Sequence, residues 1–267
     1  MNINNNKFKS ILPLRQWVDK FKLQANKSFG QNFLFNMDIT NKIANLSFLN
    51  ENDCILEVGP GLGSLTMSLL NFAIKKLYVI EKDLRFNILL EQIKNIDDRL
   101  HINYGNALDF YIPDDVNKIV ANLPYNISVI YIIDILKKYS HITEMILLVQ
   151  KEVGERFISK NNKKTYGRIS ILGQIFYDIK IIYHIPPTVF IPAPKVQSTL
   201  LYFKRKNIHL LSFAEKYEKL IKIAFQERRK LLKNTLGVEF PQLVPYLNNK
   251  RCENLTIEDI INFQKII

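Results

Sequence analysis

Four consecutive residues that follow an apolar run could hold a flat heterocyclic base. The run is typical of a buried strand and leads into Asn122-Leu123-Pro124-Tyr125. A turn of this composition places an amide side chain, free backbone carbonyls and a ring at the mouth of a sheet. Those groups suit binding of the exocyclic amine of a planar base while the ring stacks on its face. A strand-end turn with Asn and Pro is common in α/β proteins, so taken alone it indicates only a loop.

A glycine-rich loop earlier in the chain changes that interpretation. A short apolar strand leads into Glu57-Val58-Gly59-Pro60-Gly61-Leu62-Gly63, and a helix follows. Glycines allow a tight turn and let a ligand approach the backbone closely. The pattern differs from the Gly-x-Gly-x-x-Gly of nicotinamide and flavin enzymes, and Pro60 fits poorly with a pyrophosphate cradle. The next predicted strand ends at Glu81, whose carboxylate can accept two hydrogen bonds from a ribose.

The loop, Glu81 and the Asn122 turn, in this order, resemble the small-subunit ribosomal RNA adenine dimethyltransferases, the kasugamycin-resistance family. Further matching stretches lie between about Lys27 and Gly237. They are Lys27–Leu34, Asn122–Ser128, Gln150–Val153, Tyr166–Arg168, Phe190–Val196 and Ala224–Lys230. The resemblance implies dimethylation of the N6 amines of two adjacent adenosines in the 3′-terminal hairpin loop of small-subunit (16S) RNA. The expected partner is this RNA in the immature small ribosomal subunit, with a role in subunit biogenesis.

The catalytic residues expected from the motifs surround the reacting amine. The side-chain oxygen of Asn122 and the carbonyl of Leu123 would accept its two hydrogens, which favours a more tetrahedral nitrogen. Pro124 would fix the turn, and Tyr125 would stack on the flipped base. The resemblance implies that Phe190 closes on the other face. A sulfonium methyl is already activated, so no metal is expected, and catalysis would rest on alignment and hydrogen bonding.

The resemblance implies S-adenosyl-L-methionine as the methyl donor. The residues expected to bind it are Asn32, Leu34, Glu57, Gly59, Gly61, Glu81, Asn106 and Asn122. Among them, Glu81 would hold the ribose hydroxyls, and Glu57 would steady the loop and the ammonium group of the cofactor. Asn106 stands where the family usually has Asp, which accepts a hydrogen bond from the adenine amine of the cofactor. Asn can still accept through its oxygen but carries no charge.

Positive charge lies at two places in the chain. The net charge is +12, of which residues 1–27 carry +5 and residues 204–234 carry +7, so these segments hold the whole excess. Such clusters are typical of phosphate binding, although a solvated surface is the default for any single run of lysines. A helix is predicted over 214–236, with basic side chains opposite an apolar face. The residues predicted to contact RNA are Lys222, Arg229, Lys230 and Lys233.

Alternating strands and helices predict an α/β, doubly wound, Rossmann-like sheet. Strands are expected near 54–58, 77–81, 100–104, 117–121 and 144–150, and an antiparallel edge hairpin near 179–184 and 198–204. The resemblance implies a seven-stranded methyltransferase sheet, and a small all-helical domain follows it. We expect three parts: a basic N-terminal segment at 1–27 with a helix over 14–25, the methyltransferase domain at 28–206, and a helical RNA-binding domain at 207–267.

Composition narrows the class of protein further. No apolar segment reaches the length of a membrane span, and the start lacks the apolar core of a signal peptide. Cys54 and Cys252 are too few for a disulfide framework or a zinc site, so a reducing, cytoplasmic setting is expected. We also expect a monomer without a membrane partner.

Three other functions stay open. Large-subunit methyltransferases that confer macrolide resistance share Asn-x-Pro-Tyr but typically carry Gly-Lys-Gly in place of Gly61-Leu62-Gly63. The protein could instead be an RNA-binding ribosome assembly factor without catalysis. A mitochondrial relative that acts in transcription would need an Arg-rich transit segment, which this sequence lacks.

Overall fold

Strands and helices alternate along most of the chain. The computed structural model describes residues 7–11, 13–20, 30–206 and 214–267. The strands are Phe33–Leu34 (β1), Cys54–Val58 (β2), Lys76–Glu81 (β3), Leu100–Tyr104 (β4), Lys118–Asn122 (β5), Glu144–Gln150 (β6), Tyr177–Ile185 (β7), Phe190–Ile191 (β8) and Ser198–Arg205 (β9). The helices are Leu14–Lys20 (α1), Met37–Asn45 (α2), Ser64–Leu70 (α3), Asn87–Ile96 (α4), Ser128–Lys138 (α5), Lys151–Ile158 (α6), Arg168–Phe176 (α7), Ala214–Ala224 (α8), Leu236–Glu239 (α9), Val244–Leu247 (α10) and Ile257–Ile266 (α11).

Seven strands form the central sheet, in the order β4-β3-β2-β5-β6-β9-β7. The pairs β2–β3, β3–β4, β2–β5 and β5–β6 are parallel. The predicted doubly wound sheet of seven strands is therefore confirmed. The chain builds outward from β2 on one side and then returns to place β5 on the other. Ligands of such sheets bind at the carboxyl ends of the strands next to this switch point.

The strand sequences explain their central position. Every residue of β2 is buried, and β6 is buried between its two end residues. Parallel strands covered by helices on both faces need such continuous apolar runs. β9 and β7 are neighbours at one edge, where the sequence predicts a hairpin. β1 and β8 pair antiparallel in a separate two-stranded sheet.

Packing divides the chain into two compact units. One comprises Met1–Tyr131, His141–Lys151 and Ile181–Tyr202, and the other comprises Ile132–Ser140, Glu152–Lys180 and Phe203–Ile267. This division does not coincide with the predicted boundary between residues 206 and 207. In the second unit α7 packs against α8 and α11, so helices that precede residue 206 share its core. The division into parts 1–27, 28–206 and 207–267 stays a prediction.

The long helix predicted over 214–236 is wrong. α8 ends at Ala224, and turns follow. Leu231 then pairs with Arg251 in an isolated antiparallel bridge, and the Leu232 N–H donates to the Lys250 carbonyl at 2.9 Å. No Gly or Pro interrupts this part of the sequence, so propensity alone favours a continuous helix. The backbone pairing with residues 250–251 overrides that propensity.

The N-terminal helix forms over the part of the predicted range that the structure describes. α1 runs from Leu14 to Lys20, and the rest of the predicted helix, up to residue 25, lies outside the described residues. Leu14 and Trp17 belong to the apolar core of the first unit.

Both cysteines are buried and free. Across the described residues, no helix has the length and apolar character needed to cross a membrane.

Candidate active site

A cleft opens at the carboxyl ends of the strands on both sides of the switch point. It encloses about 1050 Å³, including space open to solvent. The predicted site residues that line it are Asn32, Leu34, Glu57, Gly59, Gly61, Glu81, Asn106, Asn122, Leu123, Pro124 and Tyr125. They come from segments that are far apart in sequence. The fold brings them together because the carboxyl ends of neighbouring parallel strands meet at one edge.

The glycine loop needs Gly59 and Gly61 for their backbone conformation. Gly59 and Gly61 have φ angles of 67° and 54°, in the left-handed region that side chains rarely adopt. A Cβ atom at Gly59 would lie 3.6 Å from Cγ of Pro124, and one at Gly61 would lie 3.4 Å from the ring of Phe33. The bare backbone therefore forms one wall of the cleft, where a ligand can pass close to it.

Glu81 ends β3 inside the cleft and is only 5% exposed. Its Oε2 accepts the N–H of Gly61 at 2.9 Å, and its Oε1 accepts the N–H of Asp83 at 2.8 Å. Burial raises the pKa of this carboxyl group, while the backbone N–H groups of Asp83, Gly61 and Lys82 act in the opposite direction. Each carboxylate oxygen has a second lone pair, so Glu81 can hold the loop and still accept two hydroxyl groups of a ligand.

Glu57 is the second-last residue of β2, and its side chain is buried, with 1% of its surface exposed. Thr66 Oγ1 donates to its Oε2 at 2.6 Å. Burial raises the pKa of Glu57 to about 8, against the lowering effect of the Thr66 hydrogen bond, and the nearby charge of Glu81 adds to the rise. Within the described part of the chain, neither glutamate forms an ion pair with Lys or Arg. The cleft thus carries acidic groups that suit a positively charged ligand.

Residues 30–34 cover the cleft and are fastened to it by three hydrogen bonds. Ser64 Oγ donates to the Leu34 carbonyl at 2.6 Å. Gln31 Nε2 donates to Asp83 Oδ2 at 2.9 Å. Asn122 Nδ2 donates to the Asn32 carbonyl at 3.2 Å. The three bonds join this cover segment to α3, to the end of β3 and to the end of β5.

Sequence reasoning missed Gln31 and Asp83. Burial raises the pKa of Asp83, but hydrogen bonds from Arg85 and Gln31 outweigh this effect and hold the pKa below its ordinary value. Arg85 also forms a salt bridge with Asp83 at 2.5 Å. Two signals were available, because Gln31 lies within a matching motif and Asp83 comes two residues after the strand-end Glu81.

The turn after β5 has a defined amide orientation. Because Asn122 Nδ2 donates to the Asn32 carbonyl, the opposite atom of the amide, Oδ1, is left as an acceptor. Within the described part of the chain, no donor binds that oxygen. The hydroxyl of Tyr125 lies 2.6 Å from Ser198 Oγ, which fixes the ring, and burial raises the pKa of the phenol. The turn therefore combines an open acceptor with a positioned aromatic ring.

Asn106 follows β4 and is held by its own turn. Its Nδ2 donates to Asp109 Oδ2 at 2.7 Å, and its Oδ1 accepts the N–H of Leu108 at 3.3 Å. The Asp109 N–H donates to the Asn106 carbonyl at 3.0 Å. The side chain is thus bonded at both ends of its amide.

Phe190 does not lie among the residues that line the cleft. It is 2% exposed and belongs to the apolar core of the first unit. β8 places it opposite Leu34 of β1. It therefore supports the cover segment from behind, and its stacking on a base stays a prediction.

The predicted RNA-binding residues lie in the second unit and are all exposed. They do not share one helical face, because only Lys222 belongs to α8. Arg229, Lys230 and Lys233 lie on the turns that follow, and Lys230 pairs with Glu227 at 2.8 Å.

Hydrogen bonds within the second unit join the segments around Tyr166 and Leu255 to these turns. Arg228 Nη2 donates to the Tyr166 carbonyl at 3.0 Å, and the Tyr166 hydroxyl donates to the Leu255 carbonyl at 2.8 Å. The Asn162 N–H donates to the Glu253 carbonyl at 2.8 Å. These bonds bring additional exposed basic side chains near the turns: Lys163, Lys164, Arg168 and Arg251. Together with Arg229, Lys230 and Lys233 we call them the basic surface.

Comparison with known proteins gives the family. The family model described as ribosomal RNA adenine dimethylase matches residues 22–267. The chain belongs to this family. It is 40% identical over 252 residues to ribosomal RNA small subunit methyltransferase A of Prochlorococcus marinus (strain MIT 9301), covering 88% of this chain and 90% of that protein. It is 36% identical over 263 residues to the protein of the same name from Francisella tularensis subsp. novicida (strain U112), covering 93% and 99%.

Solved structures agree in fold. A dimethyladenosine transferase from Plasmodium falciparum has a TM-score of 0.78 at 23% identity, covering 86% of this chain and 98% of that one. The 23S rRNA methyltransferase ErmE has a TM-score of 0.68 at 21% identity, covering 88% and 98%. At such identities the likeness shows the methyltransferase fold alone.

As a member of its family, the dimethylase is an enzyme that uses S-adenosylmethionine to methylate adenine of ribosomal RNA. The cleft fits that cofactor. Two buried glutamates that form no salt bridge within the described residues suit its positive groups, and the left-handed glycines of the loop let the backbone line the cleft. Within the described ranges, no group of three or more His, Cys, Asp or Glu is arranged to hold a metal ion.

Proposed function

We propose that this dimethylase converts two adjacent adenosines in the 3′-terminal hairpin loop of small-subunit RNA to N6,N6-dimethyladenosine, acting on immature small ribosomal subunits. The observation that carries the proposal is the orientation of Asn122. Its amide nitrogen is bonded to the cover segment, so its oxygen is the atom available to an amine in the cleft. The names of the curated relatives support the small subunit as substrate.

The amine of adenine is a poor nucleophile because its lone pair is delocalised into the ring. Asn122 Oδ1 and the Leu123 carbonyl would each accept one amine hydrogen, which favours a tetrahedral nitrogen with its lone pair free. Pro124 brings no N–H that would compete for these acceptors. Tyr125, held by Ser198, would stack on the base after it leaves its RNA stack. These residues would align the nitrogen, and preorganised hydrogen bonds supply the rate enhancement.

The cofactor, when bound, supplies a methyl group on a positively charged sulfonium. Glu81 would accept its ribose hydroxyls, and the backbone of Gly59 and Gly61 would face its methionine part. Glu57, whose burial favours the protonated form in the free protein, would ionise beside its ammonium group. Asn32 and Leu34 would exclude water from above, since their segment is fastened to three elements of the cleft.

The basic surface would bind the phosphates of ribosomal RNA, with Lys222 beside it. Replacing Arg229, Lys230 and Lys233 with Glu should weaken binding to small subunits and flatten its salt dependence, since each phosphate contact contributes about 0.9 to the log–log slope on B-form DNA. Affinity for S-adenosylmethionine should stay the same. Binding isotherms at several salt concentrations measure both quantities. An unchanged slope and affinity would leave only a solvated surface.

The direct test is methylation with labelled cofactor. Small subunits that lack the two modifications are incubated with the protein, and the modified bases are mapped. We expect two adjacent dimethylated adenosines near the 3′ end of the RNA. Asn122→Ala should bind the cofactor with nearly wild-type affinity and lose methyl transfer steeply in single-turnover assays. A rate within a few-fold of wild type would remove Asn122 from the chemistry.

The same assay separates the other candidates. Methylation of large-subunit RNA and not of small subunits would support the macrolide-resistance function, which the fold of ErmE makes worth testing. Tight binding to small subunits without methylation would indicate an assembly factor. We also propose that the protein acts in the cytoplasm as a monomer. Sedimentation of the free protein tests the oligomeric state.

A further inference from the structure

We propose that Asp109 is a positioning residue for cofactor recognition, because it fixes which end of the Asn106 amide faces the base of the cofactor. Asn106 lines the cleft, whereas Asp109 does not. The inference rests on the proposed use of an adenine-containing cofactor. It concerns the recognition of the adenine and leaves methyl transfer to the residues described above.

An asparagine amide can present either its oxygen or its nitrogen to a ligand. A carboxylate can only accept hydrogen bonds, so it can bind only the nitrogen of the amide. Asp109 Oδ2 lies 2.7 Å from Asn106 Nδ2 and so determines the orientation of the amide. The bond from the Leu108 N–H to Oδ1, at 3.3 Å, is longer and uncharged. The charge-assisted bond to Asp109 is therefore the stronger of the two.

The orientation matters because the adenine amine is a hydrogen-bond donor. An oxygen at Asn106 can accept that donor through its remaining lone pair, whereas a nitrogen in the same place would oppose it. An aspartate at position 106 would present an oxygen in either orientation and would need no neighbouring residue to orient it. Asp109 thus provides what the uncharged Asn106 lacks, and it adds a negative charge to the same turn.

A double-mutant cycle tests this coupling. Calorimetry would measure binding of S-adenosylhomocysteine, and of an analogue with hydrogen in place of the exocyclic amine, to the wild type, Asp109→Ala, Asn106→Asp and the double variant. We expect Asp109→Ala to weaken binding of S-adenosylhomocysteine about fivefold, the effect of one net hydrogen bond. Binding of the analogue should stay within twofold of wild type. In the Asn106→Asp background, Asp109→Ala should change neither affinity.

Two further variants separate positioning from loop structure. Asp114→Ala removes an exposed carboxylate of the same loop that accepts from the Tyr111 hydroxyl, and it should leave both affinities unchanged. Asp109→Asn keeps the shape of the side chain but can donate as well as accept, so it no longer selects one orientation of the Asn106 amide and should retain only part of the affinity. Equal losses for both ligands, or the same loss in both backgrounds, would overturn the proposal. Failure of the wild type to bind S-adenosylhomocysteine would instead contradict the proposed function.

Discussion

The two edges of the central sheet treat buried charge in opposite ways. At the amino edge, Lys118 Nζ lies 3.0 Å from Asp53 Oδ2 and 3.1 Å from Glu144 Oε2. It also donates to the carbonyls of Ser47 and Phe48, at 3.1 and 3.0 Å. At the carboxyl edge, Glu57 and Glu81 are buried about as deeply as Lys118, yet in the described part of the chain neither forms a salt bridge with Lys or Arg. The charge of Arg85 acts on Glu81, but its salt bridge is with Asp83.

This difference separates structural charge from functional charge. A buried ion destabilises the folded protein unless hydrogen bonds and an opposite charge compensate it. The amino edge meets both conditions within the chain. The carboxyl edge meets only the first, through Thr66 and two backbone N–H groups. We infer that the missing positive charge comes from the ligand, as expected for a cofactor with a sulfonium and an ammonium group.

The largest effect is expected at the amino edge. Lys118→Met should lower the free energy of unfolding by about 3–5 kcal/mol, because it leaves buried carboxylates without their cation. Urea unfolding monitored by circular dichroism measures it. Lys76→Met is the matched control, since it removes a lysine from an exposed pair with Asp115 and should leave the urea midpoint unchanged. Similar losses for both variants would contradict the structural role given to Lys118.

A smaller effect is expected on cofactor binding at the carboxyl edge. Glu81→Ala should weaken the binding of S-adenosylmethionine by roughly 1.5–3 kcal/mol, because charge-assisted hydrogen bonds to the ribose are lost. Titration calorimetry compares it with Asp115→Ala, whose carboxylate lies at the amino edge and should not affect the cofactor. Equal affinities of wild type and Glu81→Ala would remove Glu81 from the binding site.

Counted per pH unit, the smallest effect is a slope in stability with pH. The pKa of Glu57 is raised to about 8 in the folded protein, from an ordinary value of 4.5. The folded state therefore holds a proton that the unfolded state releases, so stability falls as pH rises from about 4.5 to about 8. The limit for one group is about 1.4 kcal/mol per pH unit.

Glu57→Gln should remove this contribution. Urea midpoints measured from pH 5 to 8 should fall less steeply for the variant than for the wild type. Parallel curves would mean that Glu57 is already ionised in the free protein, and its raised pKa would then be contradicted.

Most of the cleft could be predicted from the sequence because its residues stand at the ends of apolar runs. In a parallel sheet those ends meet, so Glu57, Glu81 and Asn122 could be placed together before any coordinates. The ligand-facing atoms could not be predicted in the same way. The orientation of the Asn122 amide depends on the carbonyl of Asn32, a contact between residues that are 90 positions apart.

Sequence reasoning failed where distant backbone competes with local propensity. Residues 225–236 contain strong helix formers, and nothing among them indicates a stop. The helix ends because Leu231 pairs with Arg251, and a single-sequence pattern does not carry such a pairing. For Phe190 the motif predicts a catalytic aromatic residue, and this stays a prediction; the structure shows a buried ring opposite Leu34.

The bond between the cover segment and Asn122 has a kinetic consequence. Dimethylation of one adenosine needs two methyl donors, so the cofactor must be exchanged between the two transfers, and we infer that this exchange displaces the cover segment. Opening breaks the bond from Asn122 to Asn32, and the amide then loses the contact that orients it. Each cofactor exchange would therefore also disrupt the contacts that hold the adenine base. We expect distributive methylation, in which N6-monomethyladenosine accumulates transiently in a time course followed by mass spectrometry of RNA digests.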